Sequence, residues 1–121
     1  MKIILSNTND VPLYQQIKMQ IKEAILKGEV EEGEVLPSIR NMANDLQVSV
    51  LTIRRVYDDL EKEGFIVRLP GIGTKVSQGN LELIKETKRK VLEEELAELV
   101  RNAKLLDMTK EDLYQFIERF Y

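Results

Sequence analysis

The 121-residue sequence contains no cysteine, no histidine and no tryptophan, and only three prolines. The first two absences remove the thiol nucleophile, the common proton shuttle of neutral pH and the usual soft metal ligands. Disulfides, zinc sites and Ser-His or Cys-His hydrolysis therefore cannot be built. Only carboxylate or lysine chemistry would remain to an enzyme, and no nucleophile-base pair is visible. A cysteine-free chain gives no hint of an oxidising compartment. No apolar run approaches the roughly 20 residues of a membrane span. Met1 to Asn7 carries one cation and three consecutive apolar residues, too few for a signal-peptide core. The chain is accordingly expected to be soluble and cytoplasmic, with no cofactor, no metal and no membrane partner. A basic excess is missing too, since 18 Lys and Arg stand against 21 Asp and Glu, a net charge of −3. This argues against a nonspecific nucleic-acid coat protein but not against a specific reader, because phosphate binding depends on charge within about 10 Å.

The residues that are present punctuate helices. Length predicts one compact domain, or one small domain with an appendage. Asp10-Val11-Pro12 opens a helix, with Asp10 as cap and Pro12 near the first turn. Leu13, Ile17, Ile21 and Ile25, joined by Tyr14 and Ala24, give it one apolar face, and Gly28 stands at its C-terminal cap. The acidic stretch from Glu29 to Pro37 reads as a connection with a short extended piece. Ser38 caps a short helix with Met42, Ala43 and Leu46 inward; Gln47-Val48 forms a tight turn. Ser49 caps a third helix whose inward set is Ile53, Val56, Tyr57 and Leu60, with Gly64 as terminator. Phe65 to Arg68 and Thr74 to Ser77, around Pro70-Gly71 and Gly73, predict a β-hairpin. Met1 to Leu5 could form a short strand.

From Asn80 onward there is no glycine or proline. Leu92, Leu96, Leu99, Ala103 and Leu106 form the seam of a long amphipathic helix starting near Leu81, extended by Ile84 and Val91. Thr109 and Asp112 resemble a capping box opening a last helix with Leu113, Phe116, Ile117 and Phe120. The expected fold class is α+β, mainly α: an N-terminal winged helix-turn-helix over residues 1–79, with its core at 11–77, followed by a C-terminal two-helix hairpin over 80–121.

Particular runs say more than the pattern. Val11-Pro12-Leu13-Tyr14-Gln15-Gln16-Ile17, Leu36-Pro37-Ser38-Ile39-Arg40, Leu46-Gln47-Val48-Ser49-Val50-Leu51-Thr52, Tyr57 to Ile66 and Gly71-Ile72-Gly73-Thr74-Lys75-Val76 occur in this order. Together they closely resemble the DNA-binding domain of the GntR family of bacterial transcription regulators, and the short helical tail resembles the YtrA-like subfamily. The resemblance implies DNA contacts from the arginine after Leu-Pro-Ser, from the start of the third helix and from a glycine at the wing tip. Arg40, Ser49, Thr52, Arg54 and Gly71 match those positions. Val50 departs, because many members carry arginine there.

Helical geometry gives an independent account. With Ile53, Val56, Tyr57 and Leu60 inward, Val50, Leu51, Arg54 and Arg55 face outward near the end of the helix that meets base edges. Arg54 suits bidentate readout of guanine, while Val50 and Leu51 suit thymine methyls, so an A·T-rich operator is expected. Amides at the helix starts at Ser38 and Ser49 suit phosphates, as do the charges of Arg40, Arg55, Arg68 and Lys75; Gly71 and Gly73 allow close approach of the wing. Arg68 reads equally as a solvated strand residue. Tyr14 and Tyr57 read as packing aromatics, and Glu93, Glu94, Glu95 and Glu98 as a solvated helix face.

Forty-two residues follow Gly79, too few to enclose a drug-sized effector pocket within one protomer. Pairing of Leu92, Leu96, Leu99, Ala103, Leu106, Leu113, Phe116, Ile117 and Phe120 across a two-fold axis would bury their apolar surface. The resulting reading is a homodimeric, sequence-specific repressor of double-stranded DNA with a palindromic site. The family resemblance implies its own operon as target, often one encoding an ABC transporter. No effector can be assigned. The alternative is a winged-helix protein-interaction module without DNA binding, supported by Val50 and the net acidity.

Overall fold

The computed structural model describes residues 1–8 and 10–121. Helices α1 (Leu13–Leu26), α2 (Ile39–Leu46) and α3 (Val50–Lys62) precede an antiparallel hairpin of β1 (Ile66–Leu69) and β2 (Gly73–Val76), and α4 (Leu81–Leu105) and α5 (Lys110–Phe120) complete the chain. The compact units are Met1–Lys85 and Glu86–Tyr121. This is the winged helix-turn-helix and helical tail anticipated from the sequence.

The capping serines act as expected. Ser38 Oγ accepts from the Asn41 amide at 3.1 Å, and Ser49 Oγ accepts from the Thr52 amide at 3.0 Å. Asp10 does not cap α1. Pro12 occupies that position, at φ −56°, and no side chain caps the helix; the proline ring sets the entry and Asp10 falls two residues too early. The turn between α2 and α3 puts Gln47 in the left-handed region at φ +56°. Its side-chain amide donates to the Asn44 carbonyl at 2.7 Å, which offsets part of the steric cost of that conformation.

The core is one cluster drawn from every element of the first unit. Ile17, Ile21 and Ile25 of α1 and Met42 and Ala43 of α2 meet Ile53, Val56, Tyr57 and Leu60 of α3, closed by Phe65, Ile66 and Val76 of the hairpin. The acidic connection supplies Val30 and Leu36 to this cluster. Its extended piece lies along β2: Leu36 donates to Thr74 at 2.8 Å, Val76 donates to Glu34 at 2.9 Å, and Val35 bridges Lys75. Buried Tyr57 donates its hydroxyl to the Pro37 carbonyl at 2.6 Å, fastening α3 to the entrance of α2.

Residues 1–5 do not form a strand. The Ile4 backbone instead exchanges two hydrogen bonds with the side-chain amide of Gln20, at 2.8 and 2.6 Å, and the Ser6 backbone does the same with Gln16, at 2.9 Å each. Two glutamines one helical turn apart thus supply the ladder that a neighbouring strand would have given, and Ile3 and Leu5 pack on the core.

At the hairpin tip Ile72 donates to the Leu69 carbonyl at 3.0 Å, with Pro70 and Gly71 between them. Gly71 sits at φ +78°, the conformation that a Pro-Gly type II turn demands of its second central residue. The first turn of α4 packs Leu81 and Ile84 on the core, so the division into compact units falls inside the helix. Leu106 lies outside α4, contrary to the seam drawn from spacing. The chain tightens there, with Leu106 and Met108 both bonding back to Ala103, and Asp107 turns left-handed at φ +57°. The capping box at α5 forms in both directions, with Thr109 donating to Asp112 Oδ2 at 2.9 Å and Asp112 donating to Thr109 Oγ1 at 3.2 Å.

Candidate nucleic-acid interface

The starts of α2 and α3 carry the outward polar groups of the helix-turn-helix. Each serine hydroxyl is engaged with the third helical amide, which leaves the earlier amides, of Ile39 and Arg40 and of Val50 and Leu51, as donors for an anion. Thr52 is half-buried and its hydroxyl shares a 2.7 Å hydrogen bond with Ser49 Oγ, so this pair is ordered before any ligand arrives. Val50 and Leu51 stand out from the surface, Leu51 with 71% of its area exposed.

Arg40, Arg54 and Arg55 are all exposed, and none makes an ion pair among the described residues. Arg55 is nevertheless placed, because its guanidinium carbon lies 3.6 Å from the centre of the Tyr14 ring. Sequence spacing gave no sign of this stack, since Tyr14 and Arg55 are distant in the chain. Tyr14 packs half-buried against the core, as a packing aromatic should, and its hydroxyl accepts from Gln15 Nε2 at 3.2 Å.

The acids of the same helix are spoken for. Lys18 binds Asp59 at 3.3 Å and Glu63 at 3.4 Å, and Lys22 also binds Glu63. Burial pushes the Glu63 carboxyl up, but Lys22 and Lys18 together hold it below the usual carboxylate range. Burial likewise depresses the Lys18 ammonium while Glu63 and Asp59 outweigh it, leaving it above its ordinary value. Arg68 on β1 binds Asp58 of α3 at 2.7 Å and lies 4.0 Å from Glu61. Its Nε is buried without a hydrogen-bond partner. Arg68 is thus an ion-paired link from wing to α3. Lys75 is half-buried on β2 opposite Val67. Gly71 is exposed at the tip, where an added Cβ would meet nothing within 4 Å, so backbone conformation and not crowding calls for glycine there.

These pairings leave the acids near the C-terminal end of α3 engaged by Lys18, Lys22 and Arg68, while Arg40, Arg54 and Arg55 make no ion pair among the described residues. Tyr57 takes no part in these pairings; it is fully buried, and burial pushes its phenol up to about 12.

In the second unit only Ala103 of the nine apolar positions is buried; Leu113 is half-buried, and Leu92, Leu96, Leu99, Leu106, Phe116, Ile117 and Phe120 are exposed. Leu96, Leu99, Val100, Leu113, Phe116 and Ile117 help line an open groove of about 540 Å³, so the two helices shape a ligand-sized concavity without enclosing it. No helix among the described residues is long and apolar enough to cross a membrane.

Comparison with known proteins places this arrangement. The family described as bacterial regulatory proteins, gntR family, matches residues 13–76. The HTH-type transcriptional repressor YtrA of Bacillus subtilis is 34% identical over 91% of this chain and 85% of its own length. The structure of YtrA from Sulfolobus acidocaldarius, a GntR-family transcription factor, matches with a TM-score of 0.63 at 36% identity, covering 78% of this chain and 97% of that one. The DNA-binding domain of AraR, solved in complex with an operator, matches with a TM-score of 0.56 at 25% identity, covering 64% and 96%.

Proposed function

Given that the chain belongs to the gntR family of bacterial regulatory proteins, and so is a DNA-binding regulator of transcription and not an enzyme, we propose that it is a homodimeric repressor occupying a palindromic, A·T-rich operator. The observation that carries the reading is the set of three exposed arginines, without acidic partners among the described residues, on the helices whose starts are open, α2 and α3. Repression is proposed from the similarity to YtrA, which is named a repressor, and control of its own transporter operon from the family resemblance.

Each contact has a physical role. The helix-start amides at Ser38 and Ser49, with the Ser49-Thr52 hydroxyl pair, fix the protein on phosphates and carry no sequence information. Arg54 reads a guanine edge, and Val50 and Leu51 lie against thymine methyls, which biases the site toward A·T pairs. Arg40, Arg55 and Lys75 neutralise backbone charge, and Gly71 brings the wing close. Arg68, already held by Asp58, aims the wing at the duplex. Residues 80–121 form the dimerisation region and residues 1–79 the DNA-binding domain. Covering the exposed seam of α4 and α5 with a second copy would remove a large apolar patch from water and set two recognition helices about 34 Å, or a multiple of it, apart. A selection from randomised duplexes tests the reading: an inverted repeat with A·T-rich half-sites is expected, and a G·C-rich consensus at the helix-contacted positions, or a single unrepeated half-site, would refute it.

A further inference from the structure

We propose that Tyr14 is a positioning residue for DNA affinity: the ring of α1 holds the Arg55 guanidinium of α3 flat and pre-ordered for a backbone phosphate. The inference rests on the reading of Arg55 as a phosphate contact. Three observations carry it. The guanidinium carbon is 3.6 Å from the ring centre, a face-to-face distance. Tyr14 is anchored from below by packing on the core, so the platform is stiff. Arg55 is exposed and makes no ion pair among the described residues, so its charge is unspent.

Stacking uses the face of a guanidinium and leaves its in-plane N–H fork free, the geometry suited to bidentate contact with phosphate oxygens. A long side chain that must be immobilised on binding loses rotamer freedom at that moment. Stacked beforehand on Tyr14, Arg55 has lost much of it already. Arg54, adjacent in sequence, has no such platform among the described residues, consistent with a side chain that adjusts to a base edge. The same helix therefore carries one pre-ordered arginine and one adaptable one.

The test measures binding of the full chain to a labelled random-sequence duplex of about 30 base pairs across a salt series. Arg55→Ala is expected to weaken binding and to flatten the salt slope by about 0.9, the loss of one phosphate contact. Tyr14→Leu is expected to weaken binding about 2–5-fold with the slope unchanged, and Tyr14→Phe, which keeps the ring, to bind as the parent does. In the Arg55→Ala background, Tyr14→Leu should have no further effect. Arg55→Lys, which keeps charge but cannot stack a planar group, should lose about as much as Tyr14→Leu with the slope retained, and supplies the comparison if the leucine variant is poorly folded. An equal loss from Tyr14→Leu with and without Arg55, or parental affinity in both Tyr14→Leu and Arg55→Lys, overturns the proposal while leaving Arg55 as a phosphate contact. An unchanged affinity and slope in Arg55→Ala overturns both.

Discussion

Replacing Tyr57 by phenylalanine should produce a stability difference that changes sign with pH. Tyr57 is completely buried at the centre of α3, and its hydroxyl donates to the Pro37 carbonyl at 2.6 Å. At neutral pH the variant loses that hydrogen bond, worth about 1 kcal/mol. For a domain of this size the loss corresponds to a fall of about 4–8 °C in the melting temperature. In alkali the balance shifts. The folded phenol is held protonated up to about 12 against an ordinary value of 10.0, with burial as the cause. Above pH 10 the unfolded chain releases this proton and the folded chain keeps it, so the parent loses about 1.4 kcal/mol of stability per pH unit until the folded value is reached, on the order of 2–3 kcal/mol in all. Phenylalanine has no proton to release. Urea unfolding of parent and variant at pH 7, 10, 11 and 12 isolates this term, since all other groups titrate alike in both chains. The parent should be more stable by about 1 kcal/mol at pH 7 and less stable than the variant by roughly 1–2 kcal/mol near pH 12. A difference independent of pH would refute the argument that burial, and not the hydrogen bond alone, governs this tyrosine.

Three further outcomes follow from the geometry. Arg54→Ala should reduce binding to a selected operator by about 1–3 kcal/mol and relax preference at one base pair, while random duplexes bind nearly as before; equal loss on both would remove Arg54 from base reading. Glu63 is held below its ordinary value chiefly by Lys22 and Lys18 acting against burial, so it adds stability above the unfolded carboxyl value that is lost as pH falls through the folded one. Glu63→Gln should therefore flatten the acid limb of the stability curve, and an unchanged limb would show the α1–α3 ion pairs to be idle. Phe116→Asp, on the exposed face of α5, should give a monomer by sedimentation at micromolar concentration that binds a half-site but loses preference for the inverted repeat; a dimer of unchanged affinity would move the interface elsewhere.

Much of the fold was legible because its signals are local. Ser38, Ser49 and the Thr109-Asp112 pair cap within a single turn, and the inward residues of α3 follow from the 3.6-residue period. The failures were of two kinds. Asp10 lost the cap of α1 to Pro12 and Leu106 fell past the end of α4, both shifts of a residue or two at an element boundary, where competing local chemistry decides. The ion pair of Arg68 with Asp58, the stack of Arg55 on Tyr14 and the clamp of Gln16 and Gln20 on residues 4 and 6 were invisible for a different reason. They join residues from different elements, and no periodicity encodes such meetings. A net of −3 likewise does not say which acids meet Lys18, Lys22 and Arg68.

The glutamine clamp has a consequence for how the N-terminus can vary. Four residues along a helix advance about 6 Å, and two residues of extended chain advance about 6.6 Å. The amides of Gln16 and Gln20 therefore meet the backbone of Ser6 and Ile4 almost in step. Such a match works as a vernier. It tolerates exchange of the outward side chain at Ile4, because only its backbone is gripped, yet it has no setting for one residue more or fewer between the two grips. Adding or removing a residue there would turn Ile3 outward or leave one amide without its partner. In this chain the spacing from Ile4 to Ser6 is matched to the pitch of a helix, although the outward side chain at Ile4 is not.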